Sequence, residues 1–381
     1  MRGFAQAEYE ARLAQAQKLM AAHDLSAMLL TTEAEIRYFT GFLTRFWESP
    51  SRAWYLVIPA SGKPIAVIPS IGAALMAQTW VDDIRTWRAP DPADDGISLL
   101  SDTLNEIAGI GRIGIPSGPE THLRTPQSDW GWIKSGTFGQ FVPDNGITAR
   151  LRAVKSGAEI AKIETACTIA GRAFGRVPEI AGQGRALSAV FRDFQRLLLE
   201  EGADWVPYLA GGADCDGYGD VISPAADRPL EQGDVLMLDT GAVFDGYFCD
   251  YDRNFAIGPA SPIARDAHAR LIDAVNAAAD IARPGTTAAD LFHAMDKVVT
   301  GGAGGSDAGR LGHGLGMQLT EGMSLIAADQ TVLAEGMVLT LEPGIDTVDG
   351  RIMVHEENIV ITQDGCRFIS PRAGPEMTVI G

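Results

Sequence analysis

The chain has 381 residues, of which 46% are hydrophobic and 21% are charged, and its formal net charge is −18. This length exceeds what one hydrophobic core usually serves, so two domains are expected. The acidic balance argues against nucleic acid and against an anionic membrane as partners, because both select basic surfaces.

The cysteines and the hydropathy pattern bear on the compartment. Cys167, Cys215, Cys249 and Cys366 are scattered without CxxC spacing, which predicts neither a zinc knuckle nor a disulfide framework. The opening segment MRGFAQAEYEARLAQAQKLM has no apolar core like that of a signal peptide, and no apolar run in the chain reaches about 18 residues. The sequence therefore predicts a cytoplasmic protein with no membrane-spanning segment.

The first half of the chain predicts an α/β domain. Apolar residues recur at helical spacing from about residue 7 to residue 22. The apolar segments SAMLLTT, AWYLVIPA and PIAVIPS then stand between turn signals, which indicates strands. This alternation continues to about residue 145, so we place the domain boundary near Arg150. The predicted domains are residues 1–150 and 151–381.

The second half of the chain predicts helices and strands that are largely segregated. Helical patterns cover about 157–176, 186–201, 262–282 and 287–300. Strand-like patterns occur in DVLMLDTG, YFCDYDRNFAIG, GMVLTLEPG and RIMVHEENIVIT. Segregation of this kind is typical of an α+β layout with antiparallel sheet.

The hairpin sequence LDTGAVFDGYFCDYDRNF contains aspartates among apolar residues that read as buried. If Asp245 and Gly246 form a two-residue type I′ turn, Asp239 faces Asp252 across the hairpin. Strand alternation then puts Asp250 on the same face as these two aspartates. Ionised carboxylates so close together repel one another unless a cation lies between them. The hairpin therefore predicts a cation site.

Further ligands of the same chemical kind occur downstream. Glu342 interrupts the apolar run MVLTLEPG, Glu356 interrupts RIMVHEENIVIT, and His313 lies between glycines in RLGHGLGMQL. A set rich in carboxylate oxygen with one imidazole suits a pair of divalent ions, such as Mn²⁺, Co²⁺, Fe²⁺ or Zn²⁺. We predict two divalent ions, Mn²⁺ first among them. The predicted metal ligands are Asp239, Asp250, His313, Glu342 and Glu356.

In order and spacing, the motifs LDTG, GYFCDYDRNF, GHGLG, TLEPG and HEENIVIT resemble the M24 (pita-bread) metallopeptidase family of prolidase, aminopeptidase P and methionine aminopeptidase. The N-terminal half resembles the prolidase/creatinase branch through EYEARLAQAQKLM, RYFTGF and LRAVKSGAEI. The resemblance implies an α+β protein with a C-terminal pita-bread (creatinase/aminopeptidase) fold, preceded by a smaller α/β creatinase-like N-terminal domain. It implies the same five metal ligands, with Asp252 and Glu357 as second choices.

The chain departs from the family pattern at two positions. Peptidase members carry a histidine upstream of the first aspartate ligand and another downstream of the ligand histidine, and these positions are Ile222 and Thr320 here. Neither side chain can shuttle a proton as an imidazole can. Nearby, Tyr218 and Asp220 offer substitute polar groups, and we expect Asp220 and Ile222 to contact the substrate.

The resemblance implies metal-assisted hydrolysis of an amide-type C–N bond. Glu342 or Glu356 would relay the proton, because a carboxylate that bridges metals also contacts the nucleophile. Thr320 or Tyr218 would donate a hydrogen bond to the tetrahedral intermediate.

The resemblance also bears on the N-terminal loop LTRFWESPSRAW. The creatinase-like branch of the family uses the N-terminal domain of a neighbouring subunit to wall the active site. In this loop Arg45, Trp47 and Arg52 could clamp a substrate carboxylate, since guanidinium groups bind carboxylates bidentately. An exposed loop with solvated arginines is the alternative. The clamp requires a homodimer, which we expect.

Three functions remain open at this point. The intact ligand set favours a dinuclear metallopeptidase that cleaves Xaa-Pro dipeptides or short peptides. The two missing histidines favour a hydrolase of a small non-peptide amide or amidine, similar to creatinase or ectoine hydrolase. The third is a catalytically silent interaction protein, against which the complete ligand set argues.

Overall fold

The computed structural model describes residues 2–48, 53–303 and 309–381. The chain divides into two compact units, Met1–Arg152 and Ala153–Gly381. Helix and strand are both well represented, and their distribution is the mixed one that the sequence predicts.

In the N-terminal unit, helices cover a single mixed sheet. Its described helices are α1 (Gln6–Ala22), α2 (Glu33–Thr40), α3 (Ala73–Met76), α4 (Ile97–Ala108), α5 (Gln127–Gly136) and α6 (Ile147–Ala153), the last of which runs across the boundary. Its described strands are β1 (Ala27–Leu30), β2 (Tyr55–Pro59), β3 (Ile65–Pro69), β4 (Asp83–Trp87), β5 (Arg112–Ile115) and β6 (Gln140–Pro143). The strands pair in the order β4-β3-β2-β1-β5-β6. The central strands β1, β2 and β3 are buried along their whole length, which explains their continuous apolar sequences.

In the C-terminal unit, helices pack against antiparallel sheets. Its described helices are α7 (Gly157–Gly175), α8 (Leu187–Glu200), α9 (Pro262–Ile281) and α10 (Ala288–Val299). Its longer described strands are β7 (Trp205–Cys215), β8 (Asp234–Phe244), β10 (Tyr251–Ile257), β12 (Val338–Leu341) and β15 (Glu357–Ile361). The shorter described strands are β9 (Tyr247–Phe248), β11 (Gly312–Gly314), β13 (Gly344–Asp346), β14 (Ile352–Val354), β16 (Cys366–Phe368) and β17 (Thr378–Ile380).

The sheets of the C-terminal unit set the positions of the acidic residues singled out in the sequence. One sheet has the order β17-β10-β8-β7, and β9 pairs with β8. A second sheet has the order β11-β12-β15-β16, and β13 pairs with β14. Strand β8 is buried on both faces nearly to its end. An aspartate in the middle of β8 is therefore buried away from solvent.

Strand β7 is a part of this fold that the sequence patterns do not predict. Its sequence WVPYLAGGADC contains a proline and two adjacent glycines, which weaken a strand pattern. The structure accommodates the proline where the register with β8 shifts, between Trp205 and Tyr208. Beyond this irregularity, β7 pairs regularly with β8 as far as Cys215.

Candidate metal centre

The hairpin of β8 and β10 has the predicted register. Asp245 and Gly246 both have positive φ, 48° and 80°, which a type I′ turn requires. Asp239 pairs with Asp252 across the two strands, as predicted. The turn residues thus fix which side chains face one another in the interior.

Asp250 lies in the short break between β9 and β10, where neighbouring elements hold its backbone. Its N–H donates to Asn358 Oδ1 at 3.0 Å, and its carbonyl accepts from Thr340 Oγ1 at 3.1 Å. The Nδ2 of the fully buried Asn358 also donates to this carbonyl. Contacts from β12 and β15 therefore fix the backbone that presents the Asp250 carboxylate.

The carboxylates of Asp239, Asp250 and Glu356 form a buried group that we call the acidic cluster. One oxygen of each lies within 4.8 Å of the others. Burial, followed by the charges of its neighbours, raises the pKa of Asp239 and that of Glu356 well above their ordinary values. Such carboxylates must take up protons or bind a cation.

Two oxygens of the acidic cluster lack partners. Among the described residues, Asp239 Oδ1 and Glu356 Oε2 are buried and accept no hydrogen bond. Buried polar atoms in native proteins nearly always have a partner, so two such carboxylate oxygens in one cluster fit a site that binds a cation. Carboxylate oxygens at this spacing fit a divalent metal ion.

His313 and Glu342 border the acidic cluster. The Nε2 atom of His313 is 3.2 Å from Asp250 Oδ2 and 3.3 Å from Glu342 Oε2. Its other nitrogen, Nδ1, is 3.0 Å from the Gly314 carbonyl oxygen, so a proton on Nδ1 leaves Nε2 available to a metal. Burial lowers the pKa of His313, but the carboxylates of Asp250 and Glu342 outweigh burial and raise it to about 10.

The glycines on either side of His313 are required by close packing. A Cβ atom at Gly312 would overlap the Thr340 carbonyl oxygen, and one at Gly314 would overlap the Glu321 carbonyl oxygen. Gly312 also has a φ of 146°, which disfavours other residues. The two glycines therefore let neighbouring backbone approach this loop closely.

We use the name candidate metal centre for the five side chains of Asp239, Asp250, His313, Glu342 and Glu356. The contacts above bring all five together, although Asp239 and His313 lie in two different sheets and the other three lie in segments between strands. The donor set is oxygen-rich with one imidazole, which suits Mn²⁺, Co²⁺, Fe²⁺ or Zn²⁺.

A second layer of charged residues supports the ligands from behind. We call Asp252, Arg253, His355 and Glu357 the backing network. Asp252 Oδ1 accepts from the Glu356 N–H at 2.7 Å, and Arg253 Nη1 donates to the Glu356 carbonyl at 3.0 Å. The backing network thus holds both sides of the Glu356 backbone. Asp252 and Glu357, the second choices as ligands, are occupied by these supporting contacts.

Within the backing network, His355 lies between two carboxylates. Its ring nitrogens are each 3.4 Å from an oxygen, of Asp252 and of Glu357 respectively. Burial lowers the pKa of His355, and these carboxylates raise it above its ordinary value. Burial raises the pKa of Glu357, but His355 and Arg253 together bring it down to about 2. His355 thus lies between the Asp252 and Glu357 carboxylates, and Arg253 pairs with Glu357.

Two residues that the sequence analysis did not identify also contact the candidate metal centre. Tyr208 on β7 makes a side-chain hydrogen bond with Asp239, and burial followed by the charge of Asp239 raises the pKa of Tyr208. Arg310 Nε donates to Glu342 Oε1 at 3.2 Å. The pairing of Tyr208 with Gly241, two residues from Asp239, would have identified the tyrosine once β7 was known. No sequence signal identifies Arg310.

The structure places Tyr218 in the interior of the C-terminal unit. This side chain is 1% exposed, and its hydroxyl accepts from the Val354 N–H at 2.6 Å and donates to Asn254 Oδ1 at 3.3 Å. A hydrogen bond from Tyr218 to the tetrahedral intermediate stays a prediction. Thr320 is half-buried, and its Oγ1 accepts from Arg310 Nη2 at 3.2 Å, which brings it next to Glu342.

The structure places Ile222 and Asp220 at the surface, and their contact with substrate stays a prediction. Ile222 is 79% exposed, and its N–H donates to the Asp220 carboxylate. Asp220 is exposed and accepts from Ser223 as well, which lowers the pKa of Asp220. These contacts make a local surface turn, and no hydrogen bond or ion pair among the described residues joins either side chain to the candidate metal centre.

The predicted clamp residues belong to the N-terminal unit. Trp47 is half-buried against Trp54 at 5.8 Å between ring centroids, and the Arg124 guanidinium lies 5.1 Å from the Trp47 ring. Arg45 is exposed. Arg52 lies outside the described residues. The clamp remains a prediction for these three residues.

We expect the metal-free protein to lose stability as the pH rises above about 5, and metal to restore it. The raised pKa values of Asp239, Asp250 and Glu356 mean that the stability they contribute is complete below their ordinary values of 3.8 and 4.5. This contribution to stability is lost as the pH rises through the pKa values that these groups have in the folded state. The raised pKa of His313 acts in the same direction above 6.5. Thermal denaturation in chelator and in excess Mn²⁺, at about pH 5.5 and about pH 8, measures this effect.

The metal-induced rise in Tm should be larger at the higher pH, because protons compete with metal for the same oxygens. At 100 times Kd, a bound metal stabilises the folded state by about 2.7 kcal/mol. The lowered pKa of Glu357 has the opposite sign, but it acts only below 4.5, outside this range. An equal or larger metal effect at the lower pH would contradict the assignment.

Two protein-family models match the chain. The model of metallopeptidase family M24 matches residues 161–364, and the model of the creatinase/prolidase N-terminal domain matches residues 12–124. Among the helices that the structure describes, none is long and apolar enough to cross a membrane.

Curated relatives match either nearly the whole chain or about three fifths of it. The chain is 30% identical to the probable dipeptidase PepE of Mycobacterium tuberculosis over 362 residues, which cover 94% of this chain and 93% of the relative. It is 29% identical to the Xaa-Pro dipeptidase of Pyrococcus furiosus over 237 residues, which cover 61% of this chain and 67% of the relative. The crystal structure of dipeptidase PepE from Mycobacterium ulcerans superposes with a TM-score of 0.83 at 28% identity and 99% coverage of both chains.

These matches confirm the predicted fold class, a pita-bread domain preceded by a creatinase-like N-terminal domain. Family membership also confirms the prediction of a metallohydrolase. The chain belongs to the M24 metallopeptidase family.

Proposed function

We propose that this protein is a dinuclear metal-dependent peptidase that hydrolyses the amide C–N bond of short peptides, with Xaa-Pro dipeptides as the first substrate class. The observation that carries the proposal is the convergence of four carboxylates and His313, with two orphaned buried oxygens among them. The relatives named as dipeptidases support the substrate class.

Asp239, Asp250, His313, Glu342 and Glu356 would hold two divalent ions, with Mn²⁺ as the first candidate and Co²⁺, Zn²⁺ or Fe²⁺ as alternatives. When bound, the ions would supply Lewis-acid activation of a water molecule and of the scissile carbonyl. The four carboxylate charges equal those of two divalent ions, which is what a buried site of this kind requires.

The protein's own groups would then position the reacting atoms and move the proton. Glu342 is the exposed end of the candidate metal centre, with a side chain 17% exposed, so we propose it as the carboxylate that accepts the proton from the attacking water. Glu356 is the second candidate for this role. Thr320 accepts a hydrogen bond from Arg310, which leaves its own O–H able to donate to the tetrahedral intermediate. Tyr208 is a further donor at Asp239.

Hydrolysis of a small non-peptide amide or amidine remains the second candidate function. Thr320 favours it, because no imidazole is available there to protonate a peptide leaving group. A homodimer in which Arg45, Trp47 and Arg52 of one subunit contact the substrate of the other remains part of the proposal, and the cytoplasm remains the predicted compartment.

The test is a substrate panel for the metal-reconstituted protein. We expect Xaa-Pro dipeptides to be cleaved with kcat/KM of at least about 10⁴ M⁻¹s⁻¹, the lower end of ordinary enzymes. Matched Xaa-Ala dipeptides, cyclic amidines and N-acylated amino acids complete the panel. Cleavage of an amidine or an N-acyl compound with no cleavage of any dipeptide would reject the peptidase in favour of the second candidate. Absence of bound metal by elemental analysis would indicate a silent protein.

A further inference from the structure

We propose that a cavity beside helices α7 and α9 binds a small apolar α-amino acid, at a second site apart from the candidate metal centre. The carboxylate of the ligand would contact two arginines, and its ammonium group would contact a glutamate. The inference does not depend on the proposed function, although free amino acids are also what a dipeptidase releases.

The cavity, which we call the α7–α9 cavity, has a volume of about 220 Å³ and lies within the C-terminal unit. Its walls come from α7, α9, β10 and residues 371–378, and none of the five residues of the candidate metal centre lines it. Pockets for drug-sized ligands usually measure about 300–1,000 Å³. The α7–α9 cavity is therefore of a size for a smaller molecule, such as a single amino acid.

Part of the wall is apolar. Phe174, Phe255 and Met377 line the cavity, and each of them is buried. Ligand pockets combine such apolar walls with a few polar groups that fix the orientation of the ligand. These three side chains suit an aliphatic ligand side chain.

Arg372 supplies a cation to the cavity. Its guanidinium lies 4.2 Å from the centroid of the Phe368 ring, and its Nη2 donates to the amide oxygen of Asn276. No carboxylate among the described residues forms an ion pair with it. The positive charge and the remaining N–H donors of Arg372 are thus available to a carboxylate of a ligand.

Glu376 supplies an anion to the same cavity. This residue is exposed, and no lysine or arginine in the described part of the chain pairs with its carboxylate. Arg372 and Glu376 are only four positions apart, yet they do not form an ion pair with each other. The cavity therefore presents a cation and an anion that are both open to a ligand.

Arg253 adds a second guanidinium to the wall. Its Nη1 and Nη2 atoms donate to backbone carbonyls and to Glu357, whereas its Nε donates to no group that the structure describes. The side chain is 11% exposed. The Nε–H group is thus a further donor for the carboxylate of a ligand.

His268 of α9 contributes an acceptor. Its Nε2 is 3.3 Å from the Gly374 carbonyl oxygen, so the proton of a neutral ring lies on Nε2. Burial lowers the pKa of His268, which favours this neutral form. Its Nδ1 is buried and has no partner among the described residues. An ammonium group carries three N–H donors, enough for both Glu376 and this nitrogen.

A zwitterion fits these groups better than a simple ion does. Phosphate or an aliphatic carboxylate would pair with Arg372 but would be repelled by Glu376. A simple amine would pair with Glu376 but would be repelled by Arg372. An α-amino acid carries both charges on one small molecule, so it can pair with both residues.

The test compares L-alanine with propionate, which lacks the ammonium group, and with L-alaninamide, which lacks the carboxylate. Calorimetry on the Mn²⁺-loaded protein measures their binding. We expect L-alanine to bind with a Kd of about 1 mM or lower, and about 10-fold or more tightly than either analogue. L-Aspartate should bind at least about 10-fold more weakly than L-alanine, because its side chain would place a charge against the apolar wall.

Arg372→Gln and Glu376→Gln should each weaken the binding of L-alanine about 10-fold. Both residues are exposed, so we expect both variants to fold. Arg196→Gln and Glu200→Gln are the matched controls, because these residues form an exposed ion pair elsewhere on the surface. The controls should bind L-alanine as the wild type does.

Asp250→Asn separates the α7–α9 cavity from the candidate metal centre, and it should bind L-alanine as tightly as the wild type. Loss of binding in Asp250→Asn would overturn the proposal, since the ligand would then lie at the metal. No binding of L-alanine, equal binding of propionate, or unchanged binding in Arg372→Gln or Glu376→Gln would overturn it too. Binding of L-alanine by a protein that cleaves no dipeptide would reject the Xaa-Pro function and leave this site intact.

Discussion

Asp250→Asn is expected to lose bound metal and nearly all activity while the fold survives. Asp250 lies between Asp239, Glu356 and His313, so it is the central member of the candidate metal centre. The change removes one of four carboxylate charges and replaces an oxygen by a nitrogen that is a poor metal ligand. We expect metal affinity to fall by more than about 100-fold, since changes outside the ligands already cost about 10- to 100-fold. Activity should fall by about three orders of magnitude or more.

The fold should survive because the variant keeps the size of the side chain and all contacts of the backbone. Asn358 and Thr340 hold the backbone of residue 250 irrespective of its side chain. In chelator, the variant should be at least as stable as the wild type, because burial raises the pKa of the native carboxyl and its charge is costly there. Metal content after dialysis, activity and thermal denaturation measure these effects.

Asp266→Asn is the matched control, since this side chain is 73% exposed. It should keep metal, activity and stability. Full metal content and full activity in Asp250→Asn would show that the assignment of the ligands is wrong.

Arg253→Met is expected to cause the largest loss of stability among single changes near the site. Its partner Glu357 has a side chain only 2% exposed, and both of its oxygens accept from Arg253 at 3.0 to 3.1 Å. Removing one partner of a buried ion pair typically costs about 3–5 kcal/mol, because the other charge stays buried. The carbonyls of Asp252 and Glu356 would also lose a donor. Urea denaturation in chelator measures the free energy of unfolding without a contribution from metal.

The double variant Arg253→Met with Glu357→Gln separates the buried charge from the lost packing. It should recover part of the loss, because the glutamine carries no charge and can still bond with Ser370 and the Ala373 N–H. Arg196→Met, at an exposed ion pair, should cost less than about 1 kcal/mol. A loss of less than about 1 kcal/mol in Arg253→Met, or no recovery in the double variant, would contradict the prediction.

The hairpin was the part of the site most open to prediction, because one local feature determines it. A two-residue turn at Asp245 and Gly246 fixes the register of its strands, and the period of two then assigns every side chain to a face. The pairing of Asp239 with Asp252 follows from this rule alone, and the structure has it.

The contacts of His313 with Asp250 and Glu342 could not be predicted from local sequence patterns in the same way. It depends on how the sheet of β8 and β10 packs against the sheet of β11 and β12, and no period or turn in the sequence specifies this packing. The family resemblance was what linked these residues before the structure did.

The substrate-side residues were harder to predict, for a physical reason. Tyr218, Asp220 and Ile222 follow β7 in irregular backbone, where Asp216 and Gly217 have φ of 64° and 135°. Without a regular repeat, position along the chain does not determine the direction of a side chain, so counting from a motif could not predict that Ile222 is 79% exposed. The contact of Arg310 with Glu342 was missed because the two residues lie in separate segments of the chain.

The origin of the five side chains from distant parts of the chain also affects the order of events during folding. His313, Glu342 and Glu356 are distant in the chain from the β8–β10 hairpin, so the complete ion cage requires long-range pairing that forms late. A partly synthesised chain that ends before residue 356 can offer only an incomplete cage. The chain should therefore bind metal only after its tertiary structure has formed. The folded protein, and not the nascent polypeptide, should then select among competing ions.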